Sequence, residues 1–125
     1  MRPLAKTKTW KALAKHRKQM ANFTLRQAFA KEPSRVQRMT LQACDLRIDF
    51  SKNLVSDETM ALLLKLARKR EVKAGVERMF AGEHINLTED RAVLHTALRR
   101  PRGDELVVDG QDVVADVHAV LARMA

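Results

Sequence analysis

The sequence predicts a mainly α-helical chain with one small β-hairpin, an α+β arrangement. Three patterns carry this reading. Val113, Val117, Val120, Leu121 and Met124 recur at helical spacing, the cleanest such period in the chain. Met60, Leu63, Leu64 and Ala67 form a second helical stripe, widened by Leu62 and Leu66. Between Leu41 and Phe50 the period drops to two: Leu41 and Ala43 alternate with polar neighbours, then Leu46, Ile48 and Phe50 alternate with Arg47 and Asp49.

Taken in order, Thr9 is placed to cap a first helix with Trp10, Leu13 and Ala14 on one face and Lys11, Lys15 and Lys18 elsewhere. Asn22-Phe23-Thr24 interrupts. Thr24 with Gln27 fits a capping box that starts a second helix, with Leu25, Ala28 and Phe29 inward. Pro33 ends it or opens a further turn toward Met39. Cys44-Asp45 is the expected turn of the hairpin, although it lacks the glycine that tight turns favour.

Ser56-Asp57-Glu58 reads as a helix start, with acids where the macrodipole favours them and Arg68-Lys69-Arg70 at the opposite end. The breadth of the apolar face that follows predicts burial on more than one side. Val72, Val76, Met79 and Phe80 define a short helix that stops at Gly82. A helical turn or two is expected over Ala92 to Leu98, with Thr88-Glu89-Asp90 as its acidic cap and Arg91 pairing with those acids. Arg99 to Asp104 is an exposed loop, Leu106-Val107-Val108 a short strand, and Asp109-Gly110 a turn. Asp112 caps the last helix, whose inward face is the stripe from Val113 to Met124. The total is five or six helices, one hairpin and one more strand.

Composition narrows the class. An apolar fraction of 46% over 125 residues suits one globular unit or a part of one. A single cysteine, Cys44, excludes an intramolecular disulfide and suits a reducing compartment. The longest apolar run, Met60 to Leu64, is far too short to span a membrane. The net charge of +9 is uneven: seven Lys or Arg and no acid fall in residues 1–20, whereas the last quarter is acidic. Such a basic arm can contact nucleic acid or simply lie in water.

The stretch richest in reactive side chains runs from Met79 to Arg99. It holds Glu83, His84, Glu89, Asp90, Arg91 and His95 in and beside a polar segment between two apolar runs. Glu89 with His95 is a conceivable base and partner, but the acids fit a helix cap better. Cys44 has no histidine set to activate it and belongs in a turn or small core. The four histidines, His16, His84, His95 and His118, lack metal-ligand spacing, and the four scattered glycines cannot form a phosphate loop. No metal and no cofactor is expected.

Three runs in this chain resemble the N-terminal part of the glucose-6-phosphate isomerases. They are Asp49-Phe50-Ser51-Lys52-Asn53; Gly82-Glu83-His84-Ile85-Asn86 continuing through Thr88-Glu89-Asp90-Arg91-Ala92-Val93-Leu94-His95; and Val108-Asp109-Gly110-Gln111-Asp112-Val113. The resemblance covers Trp10 to Met124; residues 1–9 form a basic arm that lies outside it. It implies a homodimeric enzyme with two α/β/α sandwich domains and a leading helical portion, of which residues 1–125 are a single segment. It also implies reversible conversion of glucose 6-phosphate to fructose 6-phosphate, a step of glycolysis and gluconeogenesis. In that family the proton-shuttling glutamate, the ring-opening histidine and the Ser/Thr phosphate loops lie beyond the matched region. No catalytic or substrate-binding residue is therefore carried over, and His95 is not the ring-opening histidine. The isolated chain is expected to be inactive. The rival reading is a small basic helical module for nucleic acid or protein interaction, with weak and non-specific nucleic-acid binding. It lacks a helix-turn-helix signature and has few stacking aromatics.

Overall fold

The computed structural model describes residues 3–125; Met1 and Arg2, the tip of the expected basic arm, lie outside the described residues. The chain divides into two compact units, Met1–Lys69 and Arg70–Ala125.

In the first unit a short 3-10 turn, Leu4–Lys6, leads into helix α1, Lys8–Gln19. The cap is Thr7, not Thr9. Thr7 has an extended backbone and its hydroxyl accepts from the Trp10 N–H at 3.3 Å, whereas Thr9 is already helical. The expected inward face of α1 also needs correction. Trp10 and Ala14 are exposed, Leu13 is half-buried, and the buried side chain is His16. A 3-10 turn at Met20–Asn22 precedes helix α2, Leu25–Lys31. The Thr24 hydroxyl accepts from the Gln27 N–H, and Ala28 is buried with Leu25 and Phe29 half-buried, as the period requires. Helix α3, Arg35–Arg38, follows Pro33.

Strands β1, Thr40–Ala43, and β2, Leu46–Asp49, pair antiparallel with Leu41 opposite Ile48 and Ala43 opposite Leu46. The loop is therefore Cys44-Asp45, and both residues take left-handed φ, +49° and +62°. Two left-handed central residues are what a type I′ hairpin turn demands, so it forms here without glycine. Alternation puts Leu41, Ala43, Leu46 and Ile48 on one face, and all four are exposed.

Helix α4, Asp57–Lys69, packs on α1. Ser56 and Thr59 cap it reciprocally: the Thr59 N–H donates to Ser56 Oγ at 3.2 Å, and the Ser56 N–H donates to Thr59 Oγ1 at 3.0 Å. The expectation that α4 is buried on several sides fails. None of its residues is fully buried, and Leu63 and Leu64 are 39% and 49% exposed, because α1 covers only one side.

The second unit begins with helix α5, Val72–Phe80. It stops as the sequence requires: the Gly82 N–H reaches back to Met79 O and the Glu83 N–H to Arg78 O, a Schellman closure with Gly82 at φ +78°. The segment expected to be an acid-capped helix is different. Thr88-Glu89-Asp90 lies in a turn closed by a two-way backbone pairing of Asn86 with Arg91. A 3-10 helix, Leu94–Arg99, begins only after extended Val93, which makes no side-chain cap bond. Four residues of turn absorb the acids before the helical backbone starts.

Strands β3, Val107–Val108, and β4, Gln111–Asp112, form a second hairpin around Asp109-Gly110; the expected single strand thus has a partner. Helix α6, Val113–Met124, follows. The Asp112 carboxylate accepts from the Val114 and Ala115 N–H groups, as expected of its cap. The small core joins Ala97, Leu106 and Val114, flanked by Leu94, Val108, Val113 and Val117. Val114 is 1% exposed, whereas Val120, Leu121 and Met124 of the expected inward stripe are 44%, 45% and 77% exposed. Only the first turns of α6 meet the core, and there the buried position is one residue off the stripe.

Candidate functional site

The three runs singled out in the sequence each build a polar junction. In the first unit, Ser51 to Val55 wraps around Arg35, which is 3% exposed. Its Nε donates to Ser51 O at 2.8 Å, and its Nη2 donates to Asn53 O at 3.2 Å and Val55 O at 2.8 Å. The guanidinium also lies 5.9 Å from the centroids of Phe23 and of Phe29. A planar fork with several donors satisfies three carbonyls of an irregular segment at once, which is why an arginine is held inside. The Asp49 carboxylate holds the start of this segment by accepting from the Ser51 N–H at 2.8 Å. Beside it, Arg38 pairs with both Glu32 and Asp57 and so ties α3 to the first turn of α4.

His16 makes a second junction in this unit. Its Nε2 lies 2.7 Å from Thr59 Oγ1, and its Nδ1 lies 3.5 Å from Glu58 Oε2, linking α1 to the start of α4. Neither Arg35 nor His16 stood out in the sequence. Charged side chains are seldom buried, so no periodic rule marks them. The available signal was the irregular polar run after β2, whose carbonyls need donors from elsewhere.

In the second unit the other two runs come together at His84. Its Nδ1 lies 3.1 Å from Asp90 Oδ1 and its Nε2 lies 3.1 Å from Asp109 Oδ2. Asp90 and Asp109 both occupy left-handed backbone, at φ +49° and +53°. The hydrogen bonds to Asp90 and then Asp109 raise the His84 pKa above the ordinary histidine value. Two residues before His84, Gly82 is buried against Val108 and Leu106. Arg100 closes the same unit from another side, donating to Phe80 O at the end of α5 and to Glu105 O.

The remaining candidates are dispersed. Glu89 accepts from Asn86 Nδ2 at 3.1 Å, inside its own turn. The His95 carbonyl accepts from Arg99, and no Glu89–His95 hydrogen bond occurs among the described residues. Arg91 pairs with Asn86 through backbone bonds, and Glu83 is exposed. His118 Nε2 lies 3.1 Å from Arg100 O. Cys44 is exposed in its turn. No group of three or more His, Cys, Asp or Glu able to hold a metal occurs among the described residues, and no described helix is long and apolar enough to cross a membrane.

What the junctions define is a helical α+β scaffold with its polar groups turned to holding loops. Residues 49–125 match the family model for phosphoglucose isomerase, and the chain belongs to that family. The glucose-6-phosphate isomerase of Mycobacterium tuberculosis is 57% identical over 118 residues, which is 94% of this chain and 21% of that protein. Glucose-6-phosphate isomerase 1 of Rhodococcus jostii is 55% identical over the same share of this chain, and the Rhodococcus opacus enzyme 56%. The chain thus spans about a fifth of the length of these relatives.

Proposed function

We propose that this chain is the leading portion of a glucose-6-phosphate isomerase, acting in the cytoplasm as part of a homodimer that interconverts glucose 6-phosphate and fructose 6-phosphate. Residues 1–125 serve as one helical segment of that enzyme. The observation that carries the reading is 57% identity across 94% of the chain, to an enzyme of that name. The local chemistry agrees in kind. Arg35, His84 and Asp112 spend their hydrogen-bonding capacity on backbone carbonyls, aspartates and backbone amides, which is scaffold work. The proton-transferring base and the phosphate-holding loops are assigned to the rest of the enzyme, and the chain alone has no isomerase activity. Contact of the basic α1 with nucleic acid is assigned only a weak electrostatic character.

The test is a coupled assay for fructose 6-phosphate conversion. The chain is assayed alone, and then co-expressed with the remaining four-fifths of the Mycobacterium tuberculosis relative. The expected result is no turnover from the chain and turnover only when both pieces are present. A positioned base contributes about 10²–10⁴-fold, so turnover by the chain alone would have to come from residues within it. Activity abolished by a substitution inside the isolated chain would overturn the reading.

A further inference from the structure

His84 bridges two carboxylates that belong to different turns. Asp90 sits in the turn closed by Asn86 and Arg91, and Asp109 sits in the β3–β4 turn, 25 residues beyond His84. An ionised carboxylate only accepts hydrogen bonds. A neutral imidazole has one N–H donor, and its other nitrogen is an acceptor. Two hydrogen bonds from this ring to two carboxylates therefore exist together only when both nitrogens carry protons. Without the second proton, one aspartate faces a nitrogen lone pair and is repelled.

The surroundings match that requirement. The ring is 34% exposed, so water can deliver and remove the proton. The titratable groups that face it are Asp90 from one turn and Asp109 from the other, both negative. Glu89, next in sequence to Asp90, is engaged by Asn86. We infer that His84 is a proton-operated clasp: with two ring protons it holds the Asn86–Arg91 turn to the Asp109-Gly110 turn, and with one it lets go of one of them. The raised pKa sets the direction. The contribution of the clasp is complete below the unfolded histidine value near 6.5 and is lost as pH rises through the higher folded value.

The test uses the 125-residue chain. Ring-nitrogen NMR follows His84 through a pH titration, and amide exchange follows Asn86 and Arg91, whose N–H groups close the turn. Protection is expressed relative to the intrinsic exchange rate at each pH. The expected midpoint lies above 6.5, with protection falling roughly two- to five-fold through it, the scale of an exposed ion pair. His84→Lys, which keeps its charge throughout, should hold protection flat. Asp109→Asn should lower the His84 midpoint while the ring still senses Asp90. A wild-type midpoint at or below 6.5, or wild-type protection unchanged across the midpoint, would overturn the inference. Both wild-type readouts stand whether or not the variants fold.

Discussion

A Cβ added to Gly82 would lie 2.6 Å from Cγ2 of Val108. Gly82, just past the end of α5, lies so close to the Val108 side chain of β3 that a methyl group there would force one of them to shift. The same residue holds φ at +78°, in the region that closes the Schellman motif.

Gly82→Ala should therefore destabilise the chain by roughly 2–4 kcal/mol, combining left-handed strain with overpacking. Chemical denaturation of the two proteins measures this. An unchanged midpoint would mean that Val108 moves aside at no cost and that the approach is not a constraint.

Arg35 should tolerate neither loss of charge nor loss of shape. Arg35→Met leaves the Ser51, Asn53 and Val55 carbonyls without their donor. Arg35→Lys keeps the charge but cannot reproduce the fork. Each should cost about 3 kcal/mol, the order expected when a buried charge-assisted network is broken. If Arg35→Lys matches the wild type in thermal unfolding, the fork geometry is irrelevant.

Asp112 gives an acid-side prediction. Burial alone would raise its pKa, but N–H donors from Leu106, Ala115 and Val114 more than offset this and lower it. A depressed folded pKa means the contribution is present above the unfolded value near 3.8 and is lost as pH falls through the folded one. Asp112→Asn keeps an acceptor at the cap but cannot titrate. Its stability should decline less steeply than that of the wild type below pH 4, and parallel acid curves would remove Asp112 from the explanation.

Lys8, Lys11, Lys15 and Lys18 of α1 are exposed. Binding to a mixed-sequence DNA duplex should be electrostatic, with a Kd of roughly 1–100 µM at physiological salt and a steep loss as salt rises. Fluorescence anisotropy across a salt series measures it. Sub-micromolar binding with sequence preference would instead favour a dedicated nucleic-acid module.

Apolar surface is open in both units. Leu41, Leu46 and Ile48 are 58%, 65% and 52% exposed on one face of the first hairpin, and α6 exposes Val120, Leu121 and Met124. A hairpin solvated on both faces is marginal, and uncovered apolar patches mark interfaces. At physiological salt, where the positive charge is screened, sedimentation should detect dimers or larger species, and a hydrophobic dye should bind. Leu46→Lys with Ile48→Lys should reduce both signals. A monomer that leaves the dye dark would show that these faces need no cover.

Much of the local architecture was written in short stretches of sequence. Thr24, Asp112 and Gly82 begin or end helices by bonds that reach only a few residues along the chain. The Cys44-Asp45 turn follows from the alternation on either side of it, even without glycine, because aspartate and cysteine here accept the left-handed backbone that the strand register imposes. The three family runs were legible for a similar reason, since each is contiguous. Thr88-Glu89-Asp90 misled because acids before an apolar run suit a turn as well as a helix cap, and the pairing of Asn86 with Arg91 selected the turn.

The sequence by itself determined most of the helices, the first hairpin and its turn, the principal helix stops and the isomerase resemblance, all of which rest on neighbours in the chain. Tertiary structure decided which groups are buried and which meet. It buried Val114 and left only Val113 and Val117 of the longer stripe against the core, put Arg35 among three distant carbonyls, and brought His84 between Asp90 and Asp109. Periodicity assigns a face to a helix but not the extent of what covers it. A hydrogen bond across 25 residues depends on the path of the intervening backbone, which no local pattern encodes.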